Sequence, residues 1–298
     1  MSGHSKIFSA PPSVLAYMSR ALLPSSGWNA ERGFADLRMN WRGYRLDANA
    51  RDGLRRFASR LSETSIELLL PHITGFRLSL AMLAKPAWPL PIWSALQIRN
   101  RLLLHRSLEP SERFDLGVEV GAWRVLEKGL EVDLHAKLQQ GSACAWESVV
   151  TFYYRGRFGP PAQHGTALGA GQDQPLIDDQ AGESARWRID GGGRWKFCVL
   201  TGDYNGIHQS NWYARRFGFR AAFPHPQRVA AQCLAHLPAP AAVPQQLDLW
   251  IKGPAYFGSE VVQKRSQHAK GEGCDFALFV DSDTRPALVG KYCAGLSS

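Results

Sequence analysis

One order of apolar patterns occurs twice along the chain, and it limits the folds open to it more than any other feature. In residues 65–86, SIELLLPHITGFRLSLAMLAKP, the residues Ile73, Phe76, Leu80 and Leu83 recur at helical spacing and predict a helix after Pro71. ALQIRNRLLLHRSL, RFDLGVEVGAWRVL, LEVDLHAKLQQ and SACAWESVVTFYYRG follow, each with the alternation or β-branched content of a strand. Glu109-Pro110-Ser111 and Gln140-Gly141 supply turns between them. The second half repeats the order. FPHPQRVAAQCLAHL (223–237) reads as a short helix opening on Pro224-His225, as the first opens on Pro71-His72. QLDLWIKGPAYFGSEVVQKRS, CDFALFVDSD and RPALVGKYC read as its strands. Two copies of one α+β unit, each a helix laid against a curved antiparallel sheet, are the simplest account.

Between the halves, residues 156–193 hold nine glycines and the pair Pro160-Pro161, and keep neither a helical nor a strand period. Such a stretch is uncommon inside one compact unit and reads as a joint. The chain carries 35 Lys/Arg against 26 Asp/Glu, a net charge of +9. The bias is concentrated in the first 60 residues and suits an anionic partner, although no nucleic-acid-binding motif accompanies it. Five widely spaced cysteines without a C-x-x-C pattern read as buried thiols in a reducing compartment. Arg20 interrupts the short apolar stretch at the N-terminus, and no run reaches the roughly 18 apolar residues of a membrane span. The expectation is a cytoplasmic protein with no membrane or nucleic-acid partner.

Several chemistries lack their motifs: there is no G-x-S-x-G, H-E-x-x-H or G-x-x-x-x-G-K-[ST], and the nine histidines show no metal-ligand spacing. The GAG at 169–171 lies in the joint and reads as flexible chain. LTGDYNGIHQSNWYA (200–214) is different. It follows the strand-like run WKFCVL; Gly202 and Gly206 permit positive φ, and Asp203 and Asn205 can bond nearby amides. Ser210 or Asn211 can cap a following helix, with Gly218 ending it. On these features alone the segment is either a well-made strand-to-helix turn without chemistry or a site.

The same segment resembles the signature of the MaoC-like dehydratases, the (R)-specific enoyl-thioester hydratases with the hot-dog fold. It matches through Phe197, then Thr201-Gly202-Asp203-Tyr204-Asn205-Gly206-Ile207-His208, then Ala214, with Gly206 where the family has proline. GFRAAFPHPQ downstream is similar to the family's Gly-Phe segment and Ala-His-Gly helix start, with His225 in register and Pro226 in place of the glycine. The resemblance is strongest from about residue 185 onward, and the first half is similar to the degenerate repeat of double-hot-dog members. It therefore implies a basic N-terminal extension (1–60), a degenerate repeat (61–155), a linker (156–184) and a catalytic repeat (185–298).

Carried over residue by residue, the resemblance implies a 3-hydroxyacyl-thioester dehydratase in which Asp203 and His208 are the catalytic pair, supported by Asn205 and Gly202. Tyr204, Ile207, Phe223, His225 and Gln227 are candidates for the oxyanion or substrate contacts. No metal or cofactor is implied; coenzyme A or acyl carrier protein would be the substrate carrier, its negative charge matched by Arg215, Arg216, Arg220, Arg228 and the basic N-terminal region. Either a monomer or a homodimer fits a fused pair of repeats. The family's oxyanion donor is the backbone N–H at the position of Pro226, which has none, and the Gln227 N–H stands next in line. Pro226 keeps open an idle acyl-thioester-binding or accessory protein; a hot-dog thioesterase is disfavoured by the retained Asp203 and His208.

Overall fold

The computed structural model describes residues 4–168, 174–177, 181–238, 243–268 and 273–294. Its first half runs β1 (His4–Phe8), α1 (Val14–Ala21), β2 (Leu37–Tyr44), α2 (Ala48–Arg55), α3 (Glu63–Leu83), β3 (Leu96–Leu104), β4 (Phe114–Leu126), β5 (Gly129–Gln140), β6 (Ala143–Arg155) and β7 (Ala162–His164). The second half runs β8 (Glu183–Arg188), α4 (Arg194–Thr201), α5 (Asn211–Arg216), α6 (Pro226–Leu234), β9 (Gln245–Ile251), β10 (Glu260–Gln267), β11 (Gly273–Val280) and β12 (Leu288–Ala294).

The strands join in one sheet, ordered β1-β2-β4-β5-β6-β3-β9-β12-β11-β10-β8, with β7 paired to β4. Its symmetry is visible from the antiparallel β3–β9 junction, where Leu102 faces Leu247. Outward on either side come the first, fourth, third and second strands after the central helix, and then the strand that precedes it. The expected repeat is thus present in topology. One consequence concerns residues 1–60: β2 occupies the place in the first repeat that β8 holds in the second, and pairs with β4 through Met39 and Val118. The basic N-terminal segment contributes sheet to the first repeat.

Helix α3 begins a little over two turns before the expected Pro71 start, capped by Ser62 Oγ, which accepts from Ser65 N at 3.1 Å. Pro71 sits inside it, and burial among the strands holds the helix through a residue that cannot donate its own N–H. The Trp146 indole donates to Leu68 O at 2.8 Å and ties α3 to β6. The Pro-His echo is therefore not positional, because Pro71-His72 lies within α3 whereas His225 is the N-cap of α6. By length and composition α3 could cross a membrane, yet most of it is buried inside the protein. Leu68 and Leu69 of α3 share a core with Val229 of α6, Leu247 of β9 and Phe276 of β11, so the repeats pack around one interior.

The described part of the linker is not a free joint. β7 adds to β4, and Leu168 crosses the outer sheet face, its N–H bonded to Asp133 Oδ2 at 2.9 Å and its carbonyl accepting from Arg99 Nη1 at 2.9 Å. Arg99 in turn lies 3.4 Å from Asp248 across the β3–β9 junction and stacks on Trp250. The GAG of residues 169–171 lies outside the described residues. Cys144, Cys198, Cys233 and Cys274 form no disulfide among the described residues.

Candidate active site

The WKFCVL run is helix α4 and not a strand. Six apolar-rich residues fit either period; here Phe197, Cys198 and Thr201 share the buried face, while Trp195 and Val199 are exposed. Gly202 ends α4 at φ +75°, the left-handed C-cap that favours glycine. A staircase of side-chain-to-backbone bonds then fixes the turn. Thr201 Oγ1 accepts from Asp203 N at 3.0 Å, Asp203 Oδ1 from Asn205 N at 3.0 Å, and Asn205 Oδ1 from Ile207 N at 3.2 Å. Residues Gly206–His208 form a single 3₁₀ turn, and Ser210 caps α5. Gly206 does not take positive φ; a Cβ there would lie 2.7 Å from the Tyr213 ring, so steric room, not backbone freedom, excludes a side chain.

This turn brings Asp203 and His208 together, with Oδ2 and Nε2 3.7 Å apart. The other histidine nitrogen, Nδ1, donates to the Phe223 carbonyl at 2.9 Å, which leaves Nε2 with its lone pair toward the carboxylate. His225 stacks on the His208 ring at 3.8 Å between centroids, and its Nε2–H donates to the Asp203 carbonyl at 3.0 Å. Burial lowers the pKa of His208, against the opposing pull of the Asp203 charge and the Phe223 bond. His225 is driven well below the ordinary histidine value by burial and then by His208. Both rings are neutral at pH 7. Asp203, His208 and His225 are close enough to invite a metal ion, but the His225 nitrogen that faces Asp203 carries its proton, leaving one imidazole lone pair. A second trio, His105, Cys144 and Glu147, lies at the β3–β6 pair and away from this turn.

The pair opens on a cavity of about 410 Å³. Asn205, Ile207, Phe223, Pro226 and Gln227 line it with Asp203 and His208, and the far lining is apolar: Phe76, Leu80, Leu83, Ile92 and Trp93. At the start of α6, the Arg228 and Val229 amides both bond to His225 O. Pro226 has no N–H, and the Gln227 amide has no acceptor among the described residues. Gln227 Oε1 is also buried without a hydrogen-bond partner.

Two expected site residues are placed elsewhere. Tyr204 turns away from the cavity and meets Trp195 edge-on at 4.9 Å, because successive residues of the tight turn point in opposite directions. His225 stands behind His208 and does not line the cavity. Among the arginines, Arg228 is buried, donating to the Gly192 and Asp190 carbonyls at 3.0 and 2.9 Å and covering the Phe57 ring; it anchors the glycine-rich approach to α4. Arg220 pairs with Asp281, whereas Arg215 and Arg216 are exposed.

No family model matches the chain. A curated relative, 3-hydroxyacyl-thioester dehydratase X of Mycobacterium tuberculosis, is 25% identical over 174 residues. The matched segment covers 58% of this chain and 60% of that protein. The crystal structure of HtdX from the same organism superposes with a TM-score of 0.67 at 21% identity, covering 86% of this chain and 99% of that one. A MaoC-like dehydratase from Phytophthora capsici gives a TM-score of 0.70 at 15% identity, covering 90% and 98%. A further M. tuberculosis protein, described as having a double hot-dog fold, gives 0.59 at 14% identity over 91% and 98%. The fold is the double hot dog of the MaoC-like dehydratases.

Within this double hot dog the pair lies in the second repeat, and both repeats supply the apolar lining, the first through α3 and the approach to β3 and the second through residues such as Val229, Ile251 and Leu278. The sequence motif ends at the second repeat and carries no sign of the first repeat's contribution. Tyr17, Met18 and Trp93 are among the cavity residues that it misses. A lone tyrosine and methionine in an arginine-rich N-terminal segment give no local signal of a role 185 residues downstream.

Proposed function

We propose that the protein interconverts a 3-hydroxyacyl thioester and its 2-enoyl thioester, with Asp203 and His208 as the acid–base pair. The observation that carries this is the pair itself: a carboxylate oxygen 3.7 Å from an imidazole nitrogen whose lone pair is free, both lining a mainly apolar cavity. Elimination takes one proton from C2 and returns one to the hydroxyl leaving C3 as water. The net change of proton count is zero, so two groups facing one point suffice. Negative charge develops on the thioester oxygen as the C2 proton leaves. The unengaged Gln227 amide at the start of α6 is the donor that takes over from the residue before it, where proline removes the N–H. The acyl chain then occupies the apolar lining. The name of the curated relative supports the same chemistry, and no cofactor enters the scheme. The carrier is coenzyme A or acyl carrier protein, and the retained Asp203 and His208 favour hydration over thioester cleavage.

The test is hydration of a series of 2-enoyl-coenzyme A substrates, followed by loss of enoyl absorbance with free thiol assayed in parallel. Asp203→Asn and His208→Ala are each expected to lose about 10²- to 10⁴-fold in kcat, with no thiol released by the wild type. Thiol release would identify a thioesterase. Binding of acyl thioesters without turnover would identify an idle binder, the outcome that Pro226 favours.

A further inference from the structure

The N-terminal helix α1 touches the catalytic turn, although it belongs to no part of the motif. Tyr17 is buried, and its phenol donates to the Gly202 carbonyl at 2.6 Å. That carbonyl belongs to the peptide joining Gly202 to Asp203. The amide at the other side of the same rigid plane is held by Thr201 Oγ1 at 3.0 Å. The plane from which the Asp203 side chain departs is therefore pinned on its oxygen by Tyr17 and on its nitrogen by Thr201. Gly202 makes the approach possible, since a Cβ there would stand 2.5 Å from Tyr17 Oη and 2.5 Å from Arg77 Cγ. Arg77 adds a second brace by donating to the Val199 carbonyl in α4. Burial pushes the Tyr17 pKa up, so the phenol keeps its proton and remains a donor.

The far end of α1 is pinned as well, by the Trp93 indole donating to Ala21 O at 2.9 Å. Tyr17, Met18 and Trp93 all line the cavity beside Leu80, Leu83 and Ile92. An acyl chain whose thioester sits at Asp203 and His208 runs between this lining and the apolar residues Val229, Ile251, Leu278 and Leu288 of the second repeat, and Met18 is, with Tyr17, the part that α1 supplies. Leu15, on the outer face of the same helix, is exposed.

Building on the dehydratase assignment above, we propose that α1 is a working wall of the site: Tyr17 is a positioning residue for the Asp203 turn, and Met18 sets the length of acyl chain accepted. The experiment uses the full chain and coenzyme A thioesters of graded length. Saturated acyl-coenzyme A, which has no double bond to hydrate, counts binding-competent sites by titration calorimetry, and enoyl-coenzyme A reports turnover per counted site. Tyr17→Phe is expected to lower kcat per site roughly tenfold at every chain length, with KM held within about twofold. Met18→Trp raises KM and weakens saturated acyl-coenzyme A binding for the longer chains, and Met18→Ala extends the longest chain accepted. Leu15→Ser leaves both profiles as in the wild type.

A Tyr17→Phe protein with full kcat per counted site, its losses accounted for by fewer sites, overturns the positioning role while the dehydratase assignment stands. Met18 variants that affect all lengths equally overturn the specificity role. Should the wild type hydrate no enoyl thioester, the dehydratase assignment and the Tyr17 role fall together. The acyl-coenzyme A binding profile of Met18→Trp then decides the wall by itself: a loss confined to long chains supports it, and a uniform change overturns it.

Discussion

Acid should destabilise this fold through its buried histidines, and His72 allows the effect to be sized. The ring lies inside α3, 6.4 Å from the Phe76 ring between centroids, with the Asn100 amide 3.5 Å from Nε2. Burial lowers its pKa from 6.5 to about 4, with no compensating charge among the described residues. Protonation therefore favours the unfolded chain. The stability from keeping the ring neutral is present above the unfolded value and is lost as pH falls toward the folded one. The full difference is about 3 kcal/mol, of which about 2 kcal/mol is gone by pH 5. His208 and His225 act in the same direction, since burial lowers both. Urea unfolding of the wild type and of His72→Gln at pH 7 and pH 5 removes those shared contributions. The wild type should lose about 2 kcal/mol more than the variant between the two pH values. Equal losses in the two proteins would refute the reasoning, because the substitution removes the only group that differs.

Two further outcomes follow from the same turn. Because burial lowers the His208 pKa, the ring stays neutral as pH falls through 6.5; the acid limb of kcat should lie below that value, and a midpoint above 6.5 in the pH–rate profile would contradict a neutral catalytic imidazole. Gly202→Ala forces a side chain onto left-handed backbone at φ +75° and against Tyr17 and Arg77. It should cost at least about 1–2 kcal/mol in unfolding free energy and lower kcat as well, whereas unchanged thermal and urea midpoints would show that the turn relaxes freely.

Much of the sheet was legible because its strands are amphipathic or bounded by turns, and none of β3 to β6 or β9 to β12 reaches more than one residue beyond an expected run at either end. The turn chemistry was legible for a local reason: Asp203 and Asn205 bond amides two residues ahead, which any Asx turn does. Elements set by distant contacts were not. The WKFCVL run has no period long enough to separate helix from strand, and its packing against α2 and α3 decides the matter. β2 lies in a charged segment, LRMNWRGY, whose arginines mask the alternation that Leu37 and Met39 begin. Arg228, expected to meet the carrier's negative charge, is instead buried against the Asp190 and Gly192 carbonyls, partners that no local pattern announces. His225 matched the motif in register, yet its bond to the Asp203 carbonyl belongs to the tertiary structure.

The most direct test of the assigned chemistry is to run the reaction in deuterated water and follow the acyl group by NMR. A hydratase of this kind adds solvent oxygen at C3 and one solvent deuteron at C2 of an enoyl-coenzyme A, leaves the thioester intact, and does neither when Asp203 is replaced by asparagine. Wild-type protein that binds the thioester but yields neither C2 deuteration nor the 3-hydroxyacyl product, with coenzyme A and with acyl carrier protein as carriers, would contradict the assignment of Asp203 and His208 as an acid–base pair.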